Sequence, residues 1–447
     1  MTGGSWGRLA RENTDPARSK GMVGALPIKK LSIGREGSTR ETIDRARFNS
    51  SIMRYSSAKP APIRKAFLMN VPANYLQMLS TVLPEGELRL ELVERPMPVP
   101  SPSQIIVRVE ATPINPSDHG VMFGWTNMAA AQSSGSGADT VLSAPVSPQG
   151  MGVMKARIGQ ALPVGNEGAG TVVAAGDDAY AQSLVGKTVA VMGGGMYGQY
   201  RCVEAAMALP LMEGDTAKDG ASCFVNPLTA LSMLETMRME DHTALVHTAA
   251  ASNLGQMLNR ICQSDGVDLV NIVRKVEQEK LLRDMGAKYV VNSSADSFMA
   301  DLTDAIHETG ATLAFDATGG GTLASSILSA MEAAAARTPG AYSIYGSIKH
   351  KQVYLYGGLD TSPTSLNRGY GMAWGVGGWL LPNFLARAGN DVATRLRIRV
   401  AKELKTTFAS HYTDEISLSD ALKADVVQQY NAKSTGQKFL ICPQMDV

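Results

Sequence analysis

From Lys65 onward, apolar and polar positions alternate in short runs. The stretch LRLELVERPMPVPSPSQIIVRVEATPINPSD holds two of them, residues 88–93 and 105–111, on either side of a proline-rich connector. A period of two predicts strands with one buried face, here antiparallel strands meeting at a turn. Between Gly124 and Leu162 the pattern dissolves into Gly, Ser and Ala, which predicts a flexible surface insertion near residues 127–160. Alternation resumes in GTVVAAG and KTVAVMGGGMYGQYRCVEAA, where dense glycines suit the bulges and tight corners of a small barrel.

After Pro227 the rhythm changes. Apolar runs at 243–247, 267–273, 289–292, 312–317 and 341–345 alternate with stretches of helical periodicity. Short, fully apolar strands separated by helices predict a parallel sheet covered on both faces and doubly wound by right-handed crossovers. From about Gly369 a helical region leads to a closing strand, KFLICP, expected to return to the first domain.

The junction ALVHTAAASNLGQML, residues 244–258, carries the first chemistry. Leu245 and Val246 end a strand, and Leu254, Met257, Leu258, Ile261 and Cys262 mark one face of a helix. The turn between them is built of small residues, which let a dinucleotide's pyrophosphate approach the backbone at a helix N-terminus. Alanine does this less freely than glycine, because positive φ costs it energy, and the same residues also suit a plain loop between buried elements. The next strand ends at Val273 with Arg274 and Lys275. Folds that prefer NAD place an acid there for the ribose 2′-hydroxyl, whereas a base would pair with a 2′-phosphate. A solvated helix start explains the pair equally well. Turn and cations together favour NADP(H).

Composition narrows the class. At 447 residues the chain exceeds one ordinary core, and 44% hydrophobic with 19% charged residues is a globular balance. A net charge of +1 offers no field for nucleic acid, and no run of about 20 apolar residues supplies a membrane span. Cys202, Cys223, Cys262 and Cys442 are scattered, with no CxxC pair and no histidine at ligand spacing, so zinc is not expected. Residues 1–65 hold fourteen Lys or Arg against five Asp or Glu, with much Ser and Gly. Such a leader fits an organellar transit peptide, with RYSSAKPAP as a processing region, although its acids also allow a disordered or partner-binding arm.

The ordered segments TPINPSD, GNEGAGTVVAAG, NPLTAL, VHTAAASNLGQML, MGAKYVVNSS, FDATGGG and IYGS resemble the medium-chain dehydrogenase/reductases. They are most similar to the zinc-independent quinone oxidoreductase and 2-enoyl thioester reductase branch, over roughly residues 65–443. The resemblance implies an α/β chain: a GroES-like catalytic domain at 63–225, a Rossmann NADP-binding domain at 226–368, and a return to the catalytic domain at 369–447 after a basic extension at 1–62. It implies that Ala251, Ser252, Asn253, Leu254 and Gly255 line the pyrophosphate and that Arg274 and Lys275 hold the 2′-phosphate. Asn226 and Thr229 would border the nicotinamide, with Tyr345 and Gly346 flanking it. Trp379, Leu380 and Leu381 would wall the cleft, with Phe384 beside them, and Lys438 would reach the cofactor from the closing segment.

The pattern breaks at one point. Enoyl reductases of this branch carry a tyrosine shortly after NPSD, and that position falls on Thr126, beside Trp125. Threonine reaches less far and is too weak an acid to replace it. Asn115, His119 and Thr126 are the candidate catalytic residues, His119 as a proton donor; a surface or hydrogen-bonded turn histidine is the plainer expectation. Tyr197 and Tyr200 are expected in the barrel. The expected activity is NADPH-dependent reduction of a small apolar carbonyl-activated alkene or a quinone, in a mitochondrial protein, with cytoplasm or plastid as alternatives. A homodimer or a subunit of a larger complex is expected. The alternative is a catalytically impaired cofactor-binding paralogue serving as an accessory subunit.

Overall fold

The computed structural model describes residues 71–338 and 343–446. The basic leader and its processing region lie outside them. The described residues form one compact unit with an antiparallel half and a parallel half.

In the parallel half, six strands run β1 Leu245–His247, β2 Leu269–Val273, β3 Tyr289–Asn292, β4 Leu313–Asp316, β5 Lys351–Leu355 and β6 Trp374–Gly378. Their spatial order is 3-2-1-4-5-6, all parallel, the doubly wound order of a dinucleotide fold. β2 is buried at every position, which suits its mostly apolar sequence; its one polar residue, Asn271, donates to the Leu269 and Tyr289 carbonyls. Helices α1 Val225–Met239 and α2 Asn253–Asp265 pack on one face through Leu231, Met257 and Phe315. Helices α3 Val276–Asp284, α4 Phe298–Thr309 and α5 Leu323–Ala336 follow β2, β3 and β4. Leu302, Ile327 and Leu328 close the opposite face over Val246 and Val270.

The fifth expected run, 341–345, is not this sheet's fifth strand. Residues 341–342 lie outside the described residues, and Tyr345 follows in a turn, 67% exposed. The strand is β5, ten residues on, ending in its own Tyr356–Gly357 pair. Gly346 instead lies against the Glu332 carboxylate, where an added Cβ would come within 2.5 Å of Oε1. That carboxylate is occupied by the Ser347 N–H at 2.7 Å and the buried Lys351 ammonium at 2.7 Å. β6 also belongs to the parallel sheet, and α6 Leu381–Ala388 and α7 Asn390–Lys402 pack on α1. The chain therefore leaves this half later than residue 369, near Asp414, where the strand Asp414–Ile416 pairs with Phe439–Ile441.

The antiparallel half differs from expectation in two places. The runs expected to pair with each other lie in different sheets. Glu87–Pro96 pairs with Asn74–Leu83 and Val141–Pro145, whereas Gln104–Pro113 pairs with Glu167–Ala175 and Tyr200–Glu204. The connector between them holds Pro96, Pro98, Pro100 and Pro102; its fixed φ angles and missing donors suit an extended crossing rather than a tight hairpin. The segment 127–160, expected to be flexible, is built into the sheet. Val141–Pro145 alternates, with Leu142 and Ala144 buried against Leu88 and Leu90. The closing strand Phe439–Ile441 does return, pairing with Gln104–Pro113 through Leu440 and Ile441.

Candidate functional site

Strand β1 delivers the small-residue turn to the carboxyl edge of the parallel sheet. The Thr248 N–H donates to the Phe315 carbonyl on β4, and its hydroxyl donates to Asp316 Oδ1 at 2.7 Å. The Ala250 N–H donates to Ile272 on β2 at 3.2 Å. Ala249 sits at φ 51°, a left-handed conformation that costs an alanine about 1–2 kcal/mol, so the flanking bonds hold it there. Ser252 caps α2, its Oγ accepting from the Gly255 N–H at 3.1 Å. A Cβ at Gly255 would lie 2.2 Å from the Ala250 carbonyl oxygen, so only glycine lets the helix start this close to the strand. The N–H groups of Ala251, Asn253 and Leu254 have no partner among the described residues. Three free donors at a helix N-terminus suit an anionic group.

Arg274 and Lys275 stand exposed at the end of β2, forming no ion pair among the described residues. The Arg274 N–H donates to Gln278 Oε1, and Gln278 Nε2 donates to the Thr435 hydroxyl at 2.8 Å. The Arg274 backbone is thus held, while neither cation is neutralised by an ion pair among the described residues.

Lys438 enters the crevice from the other half. Its ammonium donates to Ser222 Oγ at 2.7 Å and to Ser410 Oγ at 3.3 Å, above the Tyr412 ring. Asn253 Nδ2 reaches the same Ser410 oxygen at 3.3 Å, so turn and lysine meet at one hydroxyl. Burial lowers the Lys438 pKa to about 8, with Glu167 and Asp118 pulling it back up.

Below Lys438, Glu167 joins the two halves. Its Oε2 accepts from the Phe224 and Val225 N–H groups at 2.7 and 2.9 Å, capping α1 from a different segment. Its Oε1 accepts from Asn115 Nδ2 at 2.8 Å, and Asn226 Nδ2 lies 3.4 Å from Asn115 Oδ1. Burial raises the Glu167 pKa against these donors. Glu167 lies in the GNEGAG motif, where its buried strand position was the signal that it serves as an internal acceptor. Thr229 is buried on α1, one turn beyond Asn226.

Along the same sheet edge, Tyr356, Gly357, Gly358, Trp379, Leu380 and Asn383 line a cavity of about 520 Å³. Trp379 Nε1 donates to the Thr236 hydroxyl, and His247 Nε2 lies 2.8 Å from the Tyr356 hydroxyl. Burial holds the His247 pKa down at about 3, so it is neutral. Leu381 does not wall this cavity: it is buried in the core with Phe384, where the first turn of α6 directs it. Tyr356 and Gly357, rather than Tyr345 and Gly346, follow β5 at this sheet edge.

The three candidate catalytic residues do not assemble. Asn115 joins Glu167 and Asn226, whereas His119 and Thr126 line a second pocket with Phe123, Met128 and Lys433. His119 is buried, against the expectation of a surface or hydrogen-bonded turn histidine, and its imidazole has no partner among the described residues. Burial lowers its pKa to about 3, which removes it as a proton donor near neutrality. The NPSD turn is held instead by Asp118, which accepts from the Asn115 and Asn166 N–H groups at 2.7 and 2.8 Å and whose pKa burial raises to about 7. Among the described residues, no group of three or more His, Cys, Asp or Glu is arranged to hold a metal ion, and no helix is long and apolar enough to cross a membrane.

No protein-family model matches the chain. Prostaglandin reductase-3 of Mus musculus is 28% identical over 130 residues, which span 29% of this chain and 34% of that relative's length. A solved structure assigned as an NADPH:quinone reductase, from Mesorhizobium loti, aligns at TM-score 0.63 and 27% identity, covering 84% of this chain and 100% of that one. A mutant form of enoyl thioester reductase from Candida tropicalis aligns at TM-score 0.57 and 17% identity over 83% and 99% of the two chains. The resemblance to the medium-chain dehydrogenase/reductases therefore holds in three dimensions, with a Rossmann-type parallel sheet and a GroES-like antiparallel half.

Proposed function

We propose that the chain is an NADPH-dependent oxidoreductase that reduces a carbonyl-activated C=C bond or a quinone without zinc. The observation that carries this is the pairing of three free N–H donors at the start of α2 with two unneutralised cations at the end of β2. The first set fits a pyrophosphate and the second a ribose 2′-phosphate. Lys438 adds a third cation where turn and closing strand meet. When bound, the dinucleotide supplies the hydride. The protein's own share is positioning: Trp379 and Leu380 shield the sheet-edge cavity, and Asn115 and Asn226 keep α1 in register with the NPSD turn. Names of the structural relatives support both the cofactor and the two substrate classes.

The experiment is to mix the purified full chain with NADPH and a panel of enones, quinones and enoyl thioesters, following loss of reduced nicotinamide absorbance. Turnover with at least one class is expected. A second reading, an impaired accessory subunit, draws on Thr126 standing in place of the branch's tyrosine, in a pocket apart from Asn115. Tight NADPH binding with no turnover across the panel would select it. The basic leader supports a mitochondrial location, checked by imaging the full chain fused at its C-terminus to a fluorescent protein. Light scattering tests the homodimer.

A further inference from the structure

The pocket behind the NPSD turn holds buried polar atoms that nothing in the fold satisfies. His119 is 8% exposed, yet neither Nδ1 nor Nε2 has a partner among the described residues. The Thr126 hydroxyl, on the same wall, is also buried and unpartnered. Leaving one such group unpaired costs about 1–3 kcal/mol, and both residues line the same hollow. Packing fixes the imidazole, with the Phe123 ring 5.0 Å away and the Tyr430 ring 5.9 Å away. Held neutral by burial, it keeps one donor and one acceptor nitrogen.

The remaining lining sets the sign of the ligand. Lys433 and Asn431 come from the end of the helix Ala424–Asn431 and the loop after it, with Lys433 at φ 50°. Among the described residues no acid lines the hollow. Phe123 and Met128 are buried and supply an apolar wall. A single cation, a hydroxyl, a carboxamide and a neutral imidazole complement one anionic oxygen pair. We propose that this pocket is a binding site for a small organic carboxylate, whose oxygens meet Lys433, Thr126 and Asn431 and whose short hydrocarbon body lies against Phe123 and Met128. At about 320 Å³ it sits at the small end of ligand cavities. None of its lining residues belongs to the nucleotide turn or the sheet-edge cavity, so the proposal stands apart from the NADPH reading.

The test titrates hexanoate, and separately hexan-1-ol, into the full chain by calorimetry, while NMR follows the His119 imidazole. One hexanoate per chain is expected, with hexan-1-ol at least tenfold weaker and the imidazole resonances shifting at the same midpoint. Lys433→Asn, which keeps a residue tolerant of left-handed φ, should weaken hexanoate at least tenfold, and Thr126→Val severalfold. Circular dichroism confirms that each variant folds. Hexanoate binding no tighter than the alcohol, unchanged in both folded variants, or leaving the His119 signals unmoved would overturn the proposal, as would no heat at millimolar hexanoate.

Discussion

The crevice at the head of α2 and the His119 pocket satisfy their polar groups in opposite ways. In the crevice, side chains are tied to one another: Thr248 to Asp316, Ser252 to Gly255, Lys438 to Ser222 and Ser410. What remains free there is a ring of backbone N–H groups and two surface cations. In the pocket, by contrast, the side chains of His119 and Thr126 are left without partners among the described residues. The first arrangement fixes a shape and offers charge in a set geometry, as a common dinucleotide requires. The second offers loosely combined donors and acceptors beside an apolar wall, which suits a small ligand.

Substitutions can break that contrast, beginning with the turn's tightest contact. Gly255→Val puts carbon inside the Ala250 carbonyl contact of 2.2 Å; we expect loss of about 3 kcal/mol or more of stability, read by chemical denaturation, with NADPH binding lost alongside. Stability within about 1 kcal/mol of wild type would show that α2 can shift. Next comes the double change Arg274→Ala with Lys275→Ala. NADPH affinity should fall roughly a hundredfold, the value of two charge-assisted contacts, while NADH affinity stays within about threefold. Equal losses would refute the 2′-phosphate assignment.

Lys438→Gln should weaken NADPH by about tenfold at pH 7. Its ammonium is present below the folded pKa of about 8 and is lost above it. Wild-type affinity should therefore fall as pH rises through 8 and beyond, whereas the glutamine variant should show no such step in calorimetric titrations. The smallest effect belongs to Ala249→Gly. Relief of the strained φ of 51° is offset by extra freedom in the unfolded chain, so stability should rise by less than about 1 kcal/mol, read as a small gain in denaturation midpoint.

The parallel half was largely legible in the sequence because its first four strands are mostly apolar runs and α2 and α4 bury one face at helical spacing. Val273 followed by Arg274 marked the end of β2 without ambiguity. The run at 341–345 misled because IYGS repeats the Tyr-Gly ending that the true strand carries at Tyr356–Gly357, and local pattern does not rank two copies. In the antiparallel half, alternation identified the strands at 87–96 and 104–113 but not their partners, since pairing depends on where four prolines send the chain. The insertion looked flexible because Gly and Ser outnumber Met128, Leu142, Ala144, Val146 and Met154, the buried residues that anchor it. Glu167 stood in a quoted motif without a role, since a capping contact to Phe224 and Val225 spans 57 and 58 positions.

That carboxylate also ties the two halves together. Pulling the two halves apart at Glu167 would strand a buried acid and orphan two amides at the head of a fifteen-residue helix, a far greater penalty than parting Asn253 from Ser410 at the rim. Separation of the halves is therefore opposed more strongly at Glu167, through two amide contacts to one buried carboxylate, than at the rim.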